Sequence, residues 1–408
     1  MTNQELFQAA LGLTDPWRVD RSEFDAAAHR LDLYLDFARG ARFPCPMGDE
    51  ASCPVHDTTD KTWRHLDFFQ HQAYLHARVP RVDCPAHGVH LVDVPWARPD
   101  TGFTLLFEAL LMAMLAEMPV KAVADVVGEW DTRLWRVVGH YVSRARDALS
   151  MEGVTKVGID ETSARRHHDY ITVFVDLDAR RVLFATEGKN AATLGRFAKD
   201  LVAHGGDADA VADVCCDLSN PFVAGVKAHL PNAAVTFDRY HLAQLLSLAL
   251  DQVRRVEAKA QPELLAKTRY LWLHRPDNLS EAQAARLAYV LAKGSTLKTA
   301  RAYGWRLRFD AFFNQPADMA GAYLEAWWRG AVHSRLEPIV RFAHTVRDHF
   351  DGILRWHTTR ISNGILEAIN SLIQAAKRRA RGYRTKANLI TMTYLIAGKL
   401  DLAVTHTK

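Results

Sequence analysis

The sequence predicts a multidomain chain of mixed α+β and α/β class, and the changes of period along the chain predict it. Up to about residue 98 apolar and polar side chains alternate with the two-residue period of strands, and from 101 to 148 the period becomes helical. From Val154 short apolar runs and helical segments take turns, and from about Tyr240 to Trp356 only helical periodicity remains. The changes of period set the expected boundaries: a β-rich module over 1–98, a helix-turn-helix domain over 99–150, a sheet-containing core over 151–240 and 357–408, and a helical insertion over 241–356. With 408 residues, 49% of them hydrophobic and 24% charged, the chain is long enough for two or three cores.

Composition excludes several classes. No stretch approaches the roughly 20 apolar residues of a membrane helix, so no membrane partner is expected. The N-terminus MTNQELFQAA has neither the basic start nor the apolar core of an export signal. Five cysteines without such a signal point to thiols or metal ligands in a reducing compartment, hence to the cytoplasm. The net charge of +4 is small, yet the stretch between Glu367 and Asp401 holds seven Lys or Arg and no acid. Basicity this local points to a polyanionic partner.

In the first module Leu31, Leu33, Leu35 and Phe37 fall on one face of a half-buried strand. Cys45, Cys53 and His56 follow, and a second alternating run from Tyr74 to Val82 leads to Cys84 and His87. Cys-x2-His after a strand is zinc-ligand spacing, so a zinc-finger-like β module is expected. A tidy upstream pair would be Cys-x2-Cys, but CPMG places Gly48 where the second thiolate belongs. Either Cys53 or His56 replaces it, or the module has lost its Zn2+ and its cysteines pack as small hydrophobes.

The next segment reads as three helices. Phe103–Glu117 is strongly apolar, Pro119 suits the first turn of a second helix that Gly128 ends, and Asp131 suits the cap of a third. In that third helix Leu134, Val137, Val138, Tyr141, Val142 and Ala145 form the buried stripe. Arg133, Arg136, His140 and Arg144 take the opposite side, as a recognition helix in a major groove requires; an ordinary solvated basic face is the alternative.

From Val154 the order is strand, strand, strand, helix, strand, helix, strand, which is that of a ribonuclease-H-like mixed-sheet core. The run VTKVGIDE would end its strand on Asp160, and VCCD would end the fourth strand on Asp217. A third acid, Glu367, sits in a helical stretch where Asn363, Glu367, Asn370, Gln374, Lys377 and Arg381 share one face and Leu366, Ile369, Ile373 and Ala376 the other. A carboxylate, then amides, then cations along one face suits a helix that begins at a metal centre and ends on a phosphate backbone. Carboxylates alone can hold two hard divalent cations, Mg2+ or Mn2+, and nothing in the sequence offers a competing nucleophile, Walker or dinucleotide motif. Lys377, Arg378, Arg379, Arg381 and Arg384 are the expected phosphate contacts near that centre. Arg165 and Arg166, with His167 and His168, either join them or lie in a solvated loop. Asp238 and His241 follow a strand end, where they can assist the acids or, for Asp238, cap a helix.

The segments SNGILEAINSLIQAAKRRARGYR, VGIDE, VCCDLS and TFDRYH, together with the cysteine-bearing start and the helix-turn-helix, resemble insertion-sequence transposases of the ISL-three family, a branch of the DDE transposases. The resemblance implies that Asp160, Asp217 and Glu367 are the catalytic triad. It implies a DNA transposase that binds the terminal inverted repeats of its element, cuts and joins strands with two metal ions, and assembles as a homo-oligomer on double-stranded DNA. The sequence departs from the family at Gly48, where cysteine is usual. A non-transposing nuclease on the same fold and a catalytically inactive DNA-binding regulator are the alternatives.

Overall fold

Strand alternation in the N-terminal half is carried directly into register. The structure is a computed structural model that describes residues 2–48, 52–165, 169–294, 296–361 and 364–402. It divides into two compact units, Met1–Ala145 with the residues from Asp401, and Arg146–Leu400. In the first, helix α1 (Asn3–Ala10) precedes strands β1 (Trp17–Asp25), β2 (Arg30–Phe37), β3 (Arg42–Phe43), β4 (Cys53–Phe68), β5 (His71–Cys84) and β6 (Gly88–Leu91). They form one sheet in the order β1-β2-β5-β4-β3, with β6 also on β5. Leu31, Leu33 and Leu35 are buried and lie level with Ala73, Leu75 and Ala77 in a parallel pairing. Trp96 packs edge-on against Trp17 and Trp63, with ring centroids 4.9 and 5.6 Å away.

Helices α2 (Leu105–Glu117), α3 (Val120–Val127) and α4 (Asp131–Asp147) complete this unit. Thr104 caps α2 through its hydroxyl, and Gly128 closes α3 in the left-handed region at φ 71°. Pro119 and Asp131 each stand one position from where the sequence suggested. Pro119 is the cap of α3, and α4 begins from the Trp130 carbonyl with Asp131 as its first residue. Leu134, Val137, Val138, Tyr141 and Val142 are buried as expected. Beneath them lies a fully buried carboxylate the sequence did not announce: Glu108 accepts from Arg98 Nε at 2.9 Å, from Thr101 Oγ1 at 2.8 Å and from the Tyr141 hydroxyl at 2.8 Å.

The second unit opens with β7 (Lys156–Arg165), β8 (Asp169–Asp176) and β9 (Arg181–Glu187), an antiparallel meander. Helix α5 (Ala191–Ala203) leads to β10 (Asp213–Cys216), and α6 (Asn220–His229) to β11 (Ala234–Phe237). The sheet order is β11-β10-β7-β8-β9, with β10 parallel to both β7 and β11. Strand β7 does not stop at Asp160 as the sequence suggested. Its pairing with β8 runs on to Arg165 opposite Asp169, and Thr162 and Ala164 are buried, so the acid stands in mid-strand.

After β11 the described residues are helical: α7 (Arg239–Ala260), α8 (Pro262–Leu265), α9 (Arg269–Leu273), α10 (Glu281–Lys293), α11 (Lys298–Phe312), α12 (Ala317–Val332), α13 (Glu337–Asp348), α14 (Phe350–Leu354) and α15 (Trp356–Thr359). Their core residues, among them Leu246, Trp272, Phe309, Trp327 and Phe342, continue the same apolar cluster as Val157, Ile159 and Val214 of the sheet. Helices α16 (Gly364–Arg379) and α17 (Lys386–Ala397) return to the meander, α16 against β7 and α17 against β9.

Candidate active site and nucleic-acid interface

Parallel pairing brings the first two acids together. Strand β10 pairs with β7 as far as Cys215 opposite Gly158, Asp217 follows the end of β10, and its charge acts on Asp160 two residues further along β7. Neighbouring strands lie about 4.8 Å apart, too close for two carboxylates to ionise independently. Burial, then the charge of Asp217, push the Asp160 carboxyl up to about 7. Asp160 Oδ1 accepts from the Glu161 backbone N–H at 2.7 Å, and Oδ2 accepts from Asn370 Nδ2 at 2.6 Å.

Asp217 has a partner of the opposite sign. His241 Nδ1 lies 2.7 Å from Asp217 Oδ1 and 3.0 Å from Asp238 Oδ2. Burial opposes protonation of this ring, but hydrogen bonds to the two carboxylates outweigh it and raise the imidazole to about 10. Asp238 is buried and caps α7 by accepting from the His241 backbone N–H at 3.2 Å.

Glu367 stands exposed in the first turn of α16, one turn before Asn370 on the same helix. A carboxylate there is favoured by the helix dipole. Among the described residues, the one set of three or more ligand atoms within 4.8 Å of one another belongs to Cys45, Cys84 and His87, so the two aspartates and Glu367 are not gathered to that spacing. The apolar side of α16 is as expected, with Leu366, Ile369, Ile373 and Ala376 buried. Its polar side differs from the expectation. Gln374 Nε2 donates to Thr162 Oγ1 at 2.7 Å and to the Ser163 carbonyl at 3.0 Å, and Lys377 Nζ donates to that same carbonyl at 2.5 Å. Lys377 is therefore held against β7, because the face it shares with Asn370 lies against the extended hairpin, and it also lines the cleft beside Arg378 and Arg381. Asn363 falls outside the described residues.

Beyond Lys377 the helix ends in a tight turn in which Gly382, at φ 98°, donates its N–H to the Lys377 carbonyl at 2.8 Å. The turn lays Arg378, Arg381, Tyr383 and Arg384 around a cleft whose far wall is Ser163, Ala164 and Arg165. Arg165 donates to the Arg384 carbonyl across it. Arg378, Arg379, Arg381 and Arg384 are exposed. Arg166, His167 and His168 lie outside the described residues.

On α4, Arg136, His140 and Arg144 are exposed on the side opposite the buried stripe. Burial, with Arg98 and Arg144 adding to it, holds the His140 imidazole below its ordinary value. Arg133 departs from the expected role. Its guanidinium donates to Glu129 Oε2 at 2.5 Å and to the Gly102 carbonyl at 3.2 Å, and it lies over the Phe103 ring at 4.0 Å. It braces the start of the helix.

In the β module, the pairing of Phe43 with Cys53 and of Cys84 with Gly88 brings Cys45 to Cys84 and His87. His87 Nδ1 is 3.6 Å from Cys45 Sγ and 3.5 Å from Cys84 Sγ. Ligands on one tetrahedral zinc, with Zn–S near 2.3 Å and Zn–N near 2.0–2.1 Å, stand about 3.6 Å apart, so the three fit that ion. Burial opposes ionisation of Cys84, but the backbone N–H groups of Ala86 and His87 and the side chains of His87 and Cys45 bring its thiol down to about 7. Neither proposed substitute belongs to the set: Cys53 is buried in β4 opposite Phe43, and His56 faces Asp57 at 3.3 Å. Gly48 does face it, since a Cβ there would lie 2.5 Å from His87 Cε1.

A unit whose sheet sets two carboxylates side by side, in a chain that also carries a helix-turn-helix, belongs to the class of enzymes that act on DNA. Residues 157–393 match the DDE transposase model of family ISL3, residues 92–142 the helix-turn-helix domain of transposase family ISL3, and residues 42–87 the zinc-finger of transposases IS204, IS1001, IS1096 and IS1165. The chain belongs to the ISL3 family of transposases. It is 27% identical over 440 residues to the transposase for insertion sequence element IS1557 of Mycobacterium tuberculosis, covering 97% of this chain and 96% of that protein. It is also 27% identical over 401 residues to the transposase for insertion sequence element IS1001 of Bordetella parapertussis, covering 94% and 96%.

Proposed function

We propose that this transposase binds the terminal inverted repeats of its element through α4 and cuts and joins DNA strands at Asp160, Asp217 and Glu367. The observation that carries the site is the approach of Asp217, just past the end of β10, to Asp160 on the neighbouring parallel strand β7, where burial and then the charge of Asp217 raise Asp160 to about 7. Acids so placed are relieved by a divalent cation, and Glu367 on α16 is the third oxygen donor. Two Mg2+ or Mn2+ ions, when bound, supply Lewis-acid stabilisation of the attacking and leaving oxygens of a phosphodiester. The chain's own part is to hold these carboxylates oriented and to offer the Arg378–Arg384 turn to the DNA backbone.

The strand order β11-β10-β7-β8-β9 supports a ribonuclease-H-like core over 151–240 and 357–408, with 241–356 as a helical insertion. On this reading 1–98 is the zinc-bearing module, held by Cys45, Cys84 and His87, and 99–150 the repeat-reading domain. The protein works in the cytoplasm, on double-stranded repeat and target DNA, as a homo-oligomer once bound. Asp217→Asn tests the site: cleavage of a repeat duplex in Mg2+ should be lost while repeat binding persists. Near-wild-type cleavage would remove Asp217 from the triad.

A further inference from the structure

We propose that Asn370 and Gln374, with Lys377, are positioning residues that set the register of α16 on β7 and thereby fix where Glu367 stands relative to Asp160. This rests on the triad reading above. Three successive polar positions on one helix face meet three positions along the strand: Asn370 meets Asp160 at 2.6 Å, Gln374 meets Thr162 at 2.7 Å, and Lys377 meets the Ser163 carbonyl at 2.5 Å. The apolar side, Leu366, Ile369, Ile373 and Ala376, holds the helix down but tolerates sliding, because burial has no preferred direction. Hydrogen bonds of fixed length do not tolerate it. A slip of one residue moves a helix by about 1.5 Å, and errors of about 1 Å are already costly to catalysis.

Close approach makes the register matter. A Cβ on Gly158 would lie 2.9 Å from Leu366 Cδ1 and 2.8 Å from Leu177 Cδ2, so α16 sits as near β7 as a bare backbone permits. Leu366 immediately precedes Glu367. The chemistry of the first rung is also selective. An amide at 370 orients one oxygen of Asp160 while leaving the carboxylate its charge and further lone pairs, whereas a lysine or arginine would act as a resident counter-ion. Among the described residues Gln374 and Lys377 bond to Thr162 and the Ser163 carbonyl and to no acid, so any influence they have on the metal centre travels through register alone.

The full-length protein carrying Gln374→Ala or Asn370→Ala, with Thr162→Val to remove the shorter of the two Gln374 bonds, should be compared with Glu367→Gln. Mn2+ binding without DNA, read by electron paramagnetic resonance, should weaken by about tenfold or more, the range for loss of a partner that orients a metal ligand. Cleavage in Mg2+ should fall further than cleavage in Mn2+, because Mg2+ demands near-ideal octahedral geometry. Repeat binding in EDTA and the melting temperature should stay near wild type. Wild-type Mn2+ affinity in Glu367→Gln would overturn the triad reading itself. A defective Glu367→Gln beside wild-type affinity in Gln374→Ala and Asn370→Ala would overturn the positioning role alone. Equal losses in both metals with a lowered melting temperature would also overturn it, leaving only a support for the fold.

Discussion

Replacing Asp160 by asparagine should destroy cleavage and stabilise the metal-free protein at the same time. The Asp160 carboxyl is raised from 3.8 to about 7, first by burial and then by Asp217. A shift of about 3 units at about 1.36 kcal/mol each makes the ionised carboxylate a burden of about 4 kcal/mol on the fold. Asparagine never carries the charge, keeps an acceptor for the Glu161 N–H, and can meet the Asn370 amide after that amide turns over. A gain of about 2–4 kcal/mol in unfolding free energy is therefore expected in EDTA at pH 8. The sign follows from linkage. Below pH 3.8 the carboxyl is protonated in the folded and unfolded chain alike and the burden is absent; it grows as pH rises and is complete above about 7. The advantage of Asp160→Asn should thus widen from pH 5 to pH 7 and then level off. Urea unfolding across that range measures it, and hydrogen exchange of peptides from β7 and β10 localises it. Added Mg2+ should stabilise the wild type and leave the variant nearly unmoved. No gain in EDTA at pH 8, or equal stabilisation of both proteins by Mg2+, would refute the picture of two carboxylates awaiting a cation.

Removing the buried carboxylate of the helix-turn-helix, Glu108→Ala, strands Arg98 and the Tyr141 hydroxyl and should cost about 3–5 kcal/mol, read by urea unfolding of the full chain; a loss below about 1 kcal/mol would mean the network is solvated. Gly48→Cys should add a fourth ligand, a third thiolate, to Cys45, Cys84 and His87 once the His87 ring turns aside, and tighten zinc in a chelator competition. Unchanged affinity would show that position 48 does not face the ion. Arg136→Ala should weaken binding to the cognate repeat by about 1–3 kcal/mol and to random duplex little, whereas Arg379→Ala should weaken both and flatten the salt dependence by about one unit of slope. Arg133→Ala should lower stability without changing sequence preference, since its guanidinium is committed to Glu129 and Gly102.

What the sequence disclosed and what it withheld divide along one physical line. Periodicity states which side of an element is apolar, and on that basis β2, β5, α5, β11 and the buried stripes of α4 and α16 are legible, apart from Ala145, which is only half-buried. It does not state what a polar side faces. The stripe Asn370, Gln374, Lys377 reads equally as a path for phosphates or as a seam against another element, because donors that bind a phosphate oxygen also bind a strand carbonyl. The length of β7 decides between them. Had that strand ended at Asp160, the stripe beyond Asn370 would have met solvent or DNA, but the hairpin with β8 extends it to Arg165 and presents Thr162 and the Ser163 carbonyl to Gln374 and Lys377. Arg133 repeats the point on α4, where Glu129, one turn before it, claims its guanidinium. Arg136 and Arg144 on one unit and Arg378 and Arg381 on the other stand exposed, and these are the cations we propose for contact with nucleic acid.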